Sequence, residues 1–217
     1  YLYPYTSCPS CGPKYTVMKN IPFHRANSTM EDWAMCPSCK SEYENPQDRR
    51  FQSELNCCPQ CGPNYYLLDD GTRYEGETMF QRAASRLNAG KIILVKNNGG
   101  YHLVCDALNK EAVQQLRDQL NRQSKPFAMM VKNIESAKEI VYLSKAEEQL
   151  LLSEKRPIIL ATSKGHFNEV APNNTDLGIM LPYTALQHLL FHYGAPNYLI
   201  MTSANYPGEP TIFKEEQ

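Results

Sequence analysis

The sequence lacks charge of either sign in excess: 22 Lys and Arg stand against 23 Asp and Glu in 217 residues. That balance disfavours a general polyanion binder and gives no sign of an acidic tail. No run of about 18 apolar residues is present, so no segment reads as a membrane span. The greasiest stretches, 92–95, 158–161 and 199–201, are only strand-sized. The opening Tyr1-Leu2-Tyr3-Pro4-Tyr5 has the order of neither a secretory signal nor a transit peptide, and the chain reads as cut from something longer. With 42% hydrophobic and 21% charged residues, it can fill one α/β domain of about 150 residues plus a smaller module.

Cysteine is abundant at one end. Seven of the eight lie in the first 61 residues, and six form C-x-x-C pairs: Cys8/Cys11, Cys36/Cys39 and Cys58/Cys61. Each pair has Pro after its first Cys, and two are followed by Gly-Pro. Such a turn aims two thiolates at one ion and lets backbone N–H groups approach the sulfurs. A disulfide framework is the alternative, but C-x-x-C bridges are more often redox-labile than structural. Cys36-x2-Cys39-x18-Cys58-x2-Cys61 has zinc-ribbon spacing. Four thiolates leave no open coordination position, so this zinc should be structural. Cys57 and Cys105 read as packed thiols.

The first pair is short of ligands. A shift of 50 residues lays Cys8-Pro9-Ser10-Cys11-Gly12-Pro13 on Cys58-Pro59-Gln60-Cys61-Gly62-Pro63, an internal repeat. The counterpart of Cys36/Cys39 would precede residue 1, so Cys8 and Cys11 are expected to be half of a truncated site. Three fates are open: a vacant or oxidised pair, completion by another chain, or a borrowed ligand such as His24, for which packing or solvent exposure is the plainer role. Residues 21–33 and 46–51 read as ordered loop; Asp48, Arg49 and Arg50 could pair locally or line a seam between domains, with a solvated charged turn the plainer reading.

From residue 77 the pattern becomes α/β. Thr78 and Gln81 suggest a capping box, ahead of apolar residues 79, 80, 83, 84 and 87 and a stop at Gly90. Strands are predicted at 91–95, 127–131, 158–162, 177–181 and 198–202. Helices are predicted at 109–120 behind Asn109, 134–142 behind Asn133, 145–153 with a Ser144/Glu147 box, and 185–193 with a Thr184/Gln187 box. Residues 62–77, polar and containing Asp69-Asp70-Gly71, read as a linker or hinge. Three strand-end loops could meet an anion: Lys96-Asn97-Asn98-Gly99-Gly100-Tyr101-His102, Arg122-Gln123-Ser124-Lys125-Pro126, and the segment 201–210 with Thr202, Ser203 and Asn205. Each alone is also explained as a turn or a solvated helix end.

Collinear segments over nearly the whole chain resemble the HypF family of nickel–iron hydrogenase maturation carbamoyltransferases. They are 8–16, Ile21-Pro22-Phe23, Asp48-Arg49-Arg50-Phe51, Gly99-Gly100-Tyr101-His102-Leu103 with Cys105-Asp106-Ala107, Lys125-Pro126-Phe127-Ala128, Arg156-Pro157-Ile158, 181–188 and Thr202-Ser203-Ala204-Asn205. The resemblance implies a zinc-finger domain at 1–66 and a YrdC-like nucleotide-binding domain at 67–217, the latter an α/β fold with a twisted mixed sheet, flanking helices and a truncated C-terminal end. It further implies a cytoplasmic enzyme that adenylates carbamate with ATP and Mg²⁺, yielding carbamoyl adenylate and pyrophosphate, for carbamoylation of a HypE-like acceptor. The family's acylphosphatase and carbamoyl-transfer domains lie outside this stretch, which alone is not expected to complete the transfer.

By carry-over, Lys96, Arg122 and Lys125 face the triphosphate, Gly99, Gly100 and His102 the carbamoyl end, and Ser203 and Asn205 orient phosphate. Lys96, His102, Arg122 and Lys125 form the expected catalytic set. The chain departs from the family at Gln119-Leu120, where Arg-Lys is usual, at Asn97-Asn98 and at His24. Thr202-Ser203-Ala204-Asn205 is closer to the threonylcarbamoyl-adenylate synthases of tRNA modification, the alternative activity. A non-catalytic zinc and RNA-binding module is a third reading, disfavoured by the charge balance.

Overall fold

The computed structural model describes residues 2–8, 12–165, 167–206 and 208–214. They fall into two units, Tyr1–Glu75 with Thr184–Leu186 and Gly76–Tyr183 with Gln187–Gln217.

In the first unit, helix α1 (Pro37–Glu44) starts directly behind Cys36. Proline suits a first helical position because the N–H it lacks would have no intrahelical partner. Around α1 the chain runs in turns, including a 3-10 turn at Arg25–Asn27. Arg25 stitches those turns together: Nη1 donates to the carbonyls of Glu54 and Asn56, both at 2.9 Å, and Nη2 to that of Trp33 at 2.6 Å. Arg50 does more than solvate a charged turn: its Nη1 donates to both carboxylate oxygens of Glu42 at 2.8 Å. The stretch expected to be a hinge contains an antiparallel hairpin, β1 (Tyr66–Asp69) with β2 (Thr72–Glu75). Asp70 and Gly71 turn it at φ 50° and 76°, the left-handed pair that a two-residue hairpin turn needs.

The second unit comprises α2 (Gly76–Asn88), β3 (Ile93–Asn97), β4 (Gly100–Asp106), α3 (Lys110–Gln119), β5 (Ala128–Val131), α4 (Ile134–Ile140), α5 (Lys145–Leu152), β6 (Ile159–Thr162), β7 (Asp176–Met180), α6 (Ala185–His192) and β8 (Tyr198–Ser203). Its six-stranded sheet has the order β3-β4-β8-β5-β7-β6. Only β5 and β7 pair in parallel; the other neighbours are antiparallel. The expected glycine loop after β3 is therefore a tight turn at Asn98-Gly99, and β4 follows at once as a strand.

Alternation along the strands sorts the unit into three layers. Cys105 pairs with Ile200, Ile200 with Met129 and Met129 with Ile179, so their side chains share one face, beneath residues of α3, α4 and α5. Val104, Met201 and His102 belong to the other face, where Gln187 of α6 donates to the Met201 sulfur at 3.4 Å. There α2 lies beside α6, with Phe80 stacked on Tyr193 at 5.5 Å. Among the described residues, no helix is long and apolar enough to cross a membrane.

Candidate functional site

The sulfurs of Cys36, Cys39, Cys58 and Cys61 all lie within 4.8 Å of one another. Cys36 to Cys58 and Cys58 to Cys61 are each 3.8 Å. Sulfurs about 2.3 Å from a central zinc stand about 3.8 Å apart at the corners of a tetrahedron, so the cluster fits that ion. Burial pushes the Cys39 thiol up. It opposes ionisation of Cys61 too, but backbone hydrogen bonds at Cys36 and Cys58, with the thiols of Cys39 and Cys58, outweigh it and bring Cys61 down to about 7. Asn56 supports the cluster, donating to the Cys39 carbonyl at 3.0 Å and to Glu42 at 3.2 Å.

One backbone bond recurs at all three pairs. The N–H of the residue after the second Cys donates to the carbonyl of the first: Gly12 to Cys8 at 2.7 Å, Lys40 to Cys36 at 2.9 Å, and Gly62 to Cys58 at 2.8 Å. After Cys39 the chain continues as α1, whereas Gly-Pro ends the turn at the other two, because the residue before proline is barred from helix. Cys8 is exposed; Cys11 lies outside the described residues. His24, the other ligand considered there, is mostly exposed, with Nδ1 3.5 Å from Glu54 Oε1. Cys57 is a half-buried thiol raised by burial, and burial likewise pushes Cys105 up to about 12.

In the second unit the three loops converge on one end of the sheet. Arg122 joins two of them: Nη1 donates to Thr202 Oγ1 at 3.3 Å, Nε to the Lys125 carbonyl at 3.2 Å, and Nη2 to the Pro126 carbonyl. The third is joined through the ladder, where His102 pairs with Ser203. Lys125 is exposed and contributes its carbonyl to this knot. Ser203 Oγ donates to Asn205 Oδ1 at 2.6 Å, while Asn205 Nδ2 donates to the carbonyls of Tyr206 and Glu209 at 3.0 and 2.9 Å. The strand exit is thus held by its own side chains.

The sheet also divides the candidates. Lys96 pairs with Tyr101, on the face that carries Thr202 and Arg122; its ammonium is 5.4 Å from the Tyr101 ring centroid. His102 and Ser203 belong to the opposite face. Burial lowers the His102 pKa, partly offset by its contact with the Gly100 carbonyl at 3.1 Å. Gly99 borders open space. Gly100 has φ 113°, and a Cβ there would stand 2.7 Å from the Ile212 carbonyl oxygen. Its close neighbour is therefore the chain itself: Tyr101 N–H donates to Ile212 O at 2.7 Å, and Ile212 N–H to Ala204 O at 3.0 Å.

Arg117 is a participant that the loop-by-loop reading misses. It falls on the stripe Val113, Leu116, Arg117, Leu120, at helical spacing, and is 4% exposed. A cation on an apolar stripe is the signal that marks it.

Comparison with known proteins accords with both units. A family model described as "Telomere recombination" (Sua5/YciO/YrdC) matches residues 85–217, and one described as "HypF finger" matches 35–68. Carbamoyltransferase HypF of Rhodobacter capsulatus is 42% identical over 217 residues, covering 99% of this chain and 29% of that protein. The crystal structure of T. kodakarensis HypF superposes with a TM-score of 0.94 at 41% identity, over 100% of this chain and 29% of that one. Full-length HypF in its phosphate- and nucleotide-bound form gives 0.89 at 36% identity, over 100% and 28%. The chain therefore spans less than a third of these relatives. It belongs to the Sua5/YciO/YrdC family and is homologous along its whole length to HypF carbamoyltransferases.

Proposed function

We propose that the second unit binds ATP at the Arg122 end of its sheet and adenylates carbamate, and that the zinc finger, ending near residue 66, is structural and takes no part in the chemistry. The observation that carries this is the cationic knot of Arg122, Lys125 and Thr202, where guanidinium donors remain beside a strand exit. A full-length HypF relative, 36% identical over this chain, is known in a phosphate- and nucleotide-bound form, which supports nucleotide binding within the family. In the reaction, a carbamate oxygen attacks the α-phosphorus and pyrophosphate leaves with the electrons of the broken P–O bond. The carbamate is already anionic, so no general base is required. The site must hold nucleophile and phosphorus in line and balance negative charge.

Arg122 and Lys125, with Lys96 on the same face, serve the triphosphate, and ATP arrives with Mg²⁺. Ser203 and Asn205 fix the loop that frames the phosphates. Gly99, Gly100 and His102 are assigned to the carbamoyl end, Gly100 by shaping the turn against the Ile212 carbonyl; burial disfavours the charged form of His102, which serves by hydrogen bonding. The product would pass to a HypE-like acceptor through the parts of HypF proteins outside this span. Exchange of labelled pyrophosphate into ATP, driven by ammonium carbamate, tests the proposal. Exchange should fall at least about tenfold in Arg122→Gln and several-fold in Lys125→Ala. Exchange that requires threonine would move the assignment to threonylcarbamoyl-adenylate synthesis, and exchange indifferent to carbamate would end it.

A further inference from the structure

We infer that Arg117 is a positioning residue of this anion site, which fixes the pose of Arg122 without meeting the ligand; the inference rests on the nucleotide reading above. Its Nη1 donates to the carbonyls of Arg122, at 2.8 Å, and Lys125, at 3.1 Å, so one guanidinium grips both ends of the loop that carries the exposed cations. Its Nε and Nη2 donate to the carbonyls of Glu169 and Val170, at 2.7 and 2.8 Å, anchoring that grip to a segment far away in sequence. Four of its five N–H donors are spent on neutral oxygens. Glu169 does not neutralise it through an ion pair, since that carboxylate is turned to Lys110 at 2.8 Å.

Both guanidiniums also lie on the buried ring of Phe127, Arg117 at 4.6 Å and Arg122 at 4.4 Å from its centroid. Two like charges on one ring repel, and burying a cation without a carboxylate costs desolvation. A leucine or methionine would fill the same helical stripe without that cost, so packing does not account for an arginine here. What the arginine adds is a rigid loop and a positive field that emerges where Arg122 keeps one N–H on each terminal nitrogen. A fork held in place before the ligand arrives loses little side-chain freedom on binding phosphate.

Equilibrium dialysis of labelled ATP against the whole chain reads this directly, with melting curves as a check on folding. Arg117→Lys keeps the charge and loses the grip, and should raise the Kd about tenfold; in an Arg122→Ala background the same change should move it by less than about twofold. An unchanged Kd in folded Arg117→Lys overturns the inference while leaving the nucleotide reading standing. So does an equal loss in both backgrounds, which would mean that Arg117 acts otherwise than through Arg122. Failure of the unaltered chain to bind ATP overturns both. If Arg117→Lys does not fold, Arg117→Gln, whose amide can still donate to part of that carbonyl set, is read by the same cycle, with a loss of a few-fold expected and none in Arg122→Ala.

Discussion

At Gly62 an added methyl group would stand 2.7 Å from the Cys57 sulfur and closer still to the Tyr3 hydroxyl, which is held by its bond to the Pro63 carbonyl at 2.6 Å. Gly99 has no such neighbours within 4 Å. Gly62→Ala is therefore expected to cost about 1–3 kcal/mol through overpacking, and Gly99→Ala less than about 0.5 kcal/mol, both read from chemical denaturation midpoints. The cysteine pairs were legible because ligand spacing is local. Gly100 was not: its conformation suits a loop that greets an anion, yet the group that comes close is the carbonyl of Ile212, which no local pattern announces. Arg117 was hidden for a related reason: its place on an apolar stripe is local, but two of the carbonyls that satisfy it come from Glu169 and Val170, far along the chain.

Among the elements, helices were easier to foresee than strands. Asn109 and Asn133 cap α3 and α4 by accepting from the N–H groups of Ala112 and Ser136, and Ser144 with Glu147 forms the capping box of α5. These are local devices that residue type discloses. Asn109→Ala should lower stability by about 1 kcal/mol, measured as a shift of the melting midpoint with the folded spectrum unchanged. Helix α2 starts at Gly76, before the Thr78 expected to cap it. Strand β4 escaped notice because Gly99-Gly100 suggests a loop and because strand identity depends on partners. Its partners are β3 in the hairpin and β8 nearly a hundred residues later. The β1–β2 hairpin had its signal, Asp70-Gly71, but its polar strands lack a strong apolar alternation.

At the scale of the whole molecule, the two units draw on different sources of stability. The sheet unit has a large apolar core, from Leu116 and Phe127 to Ile179 and Ile200. Among the described residues, 2–75 hold one short α-helix, a two-stranded hairpin and a thiolate cluster, and a structural zinc contributes folding energy outright. Chelation should therefore raise hydrogen exchange across residues 12–65 while the amides of β4, β5 and β8 keep their protection. Loss of protection in both together would mean that the units melt as one.

The position of β8 has a consequence for synthesis. It is later in sequence than every other strand of the sheet, yet it joins the β3–β4 hairpin to the β5–β7–β6 half. As the chain leaves the ribosome, two apolar half-sheets must wait with raw edges for Tyr198–Ser203, the piece that zips them together. During that interval each edge can recruit a stranger, so the nascent polypeptide is a natural client for a holding chaperone until translation delivers its keystone.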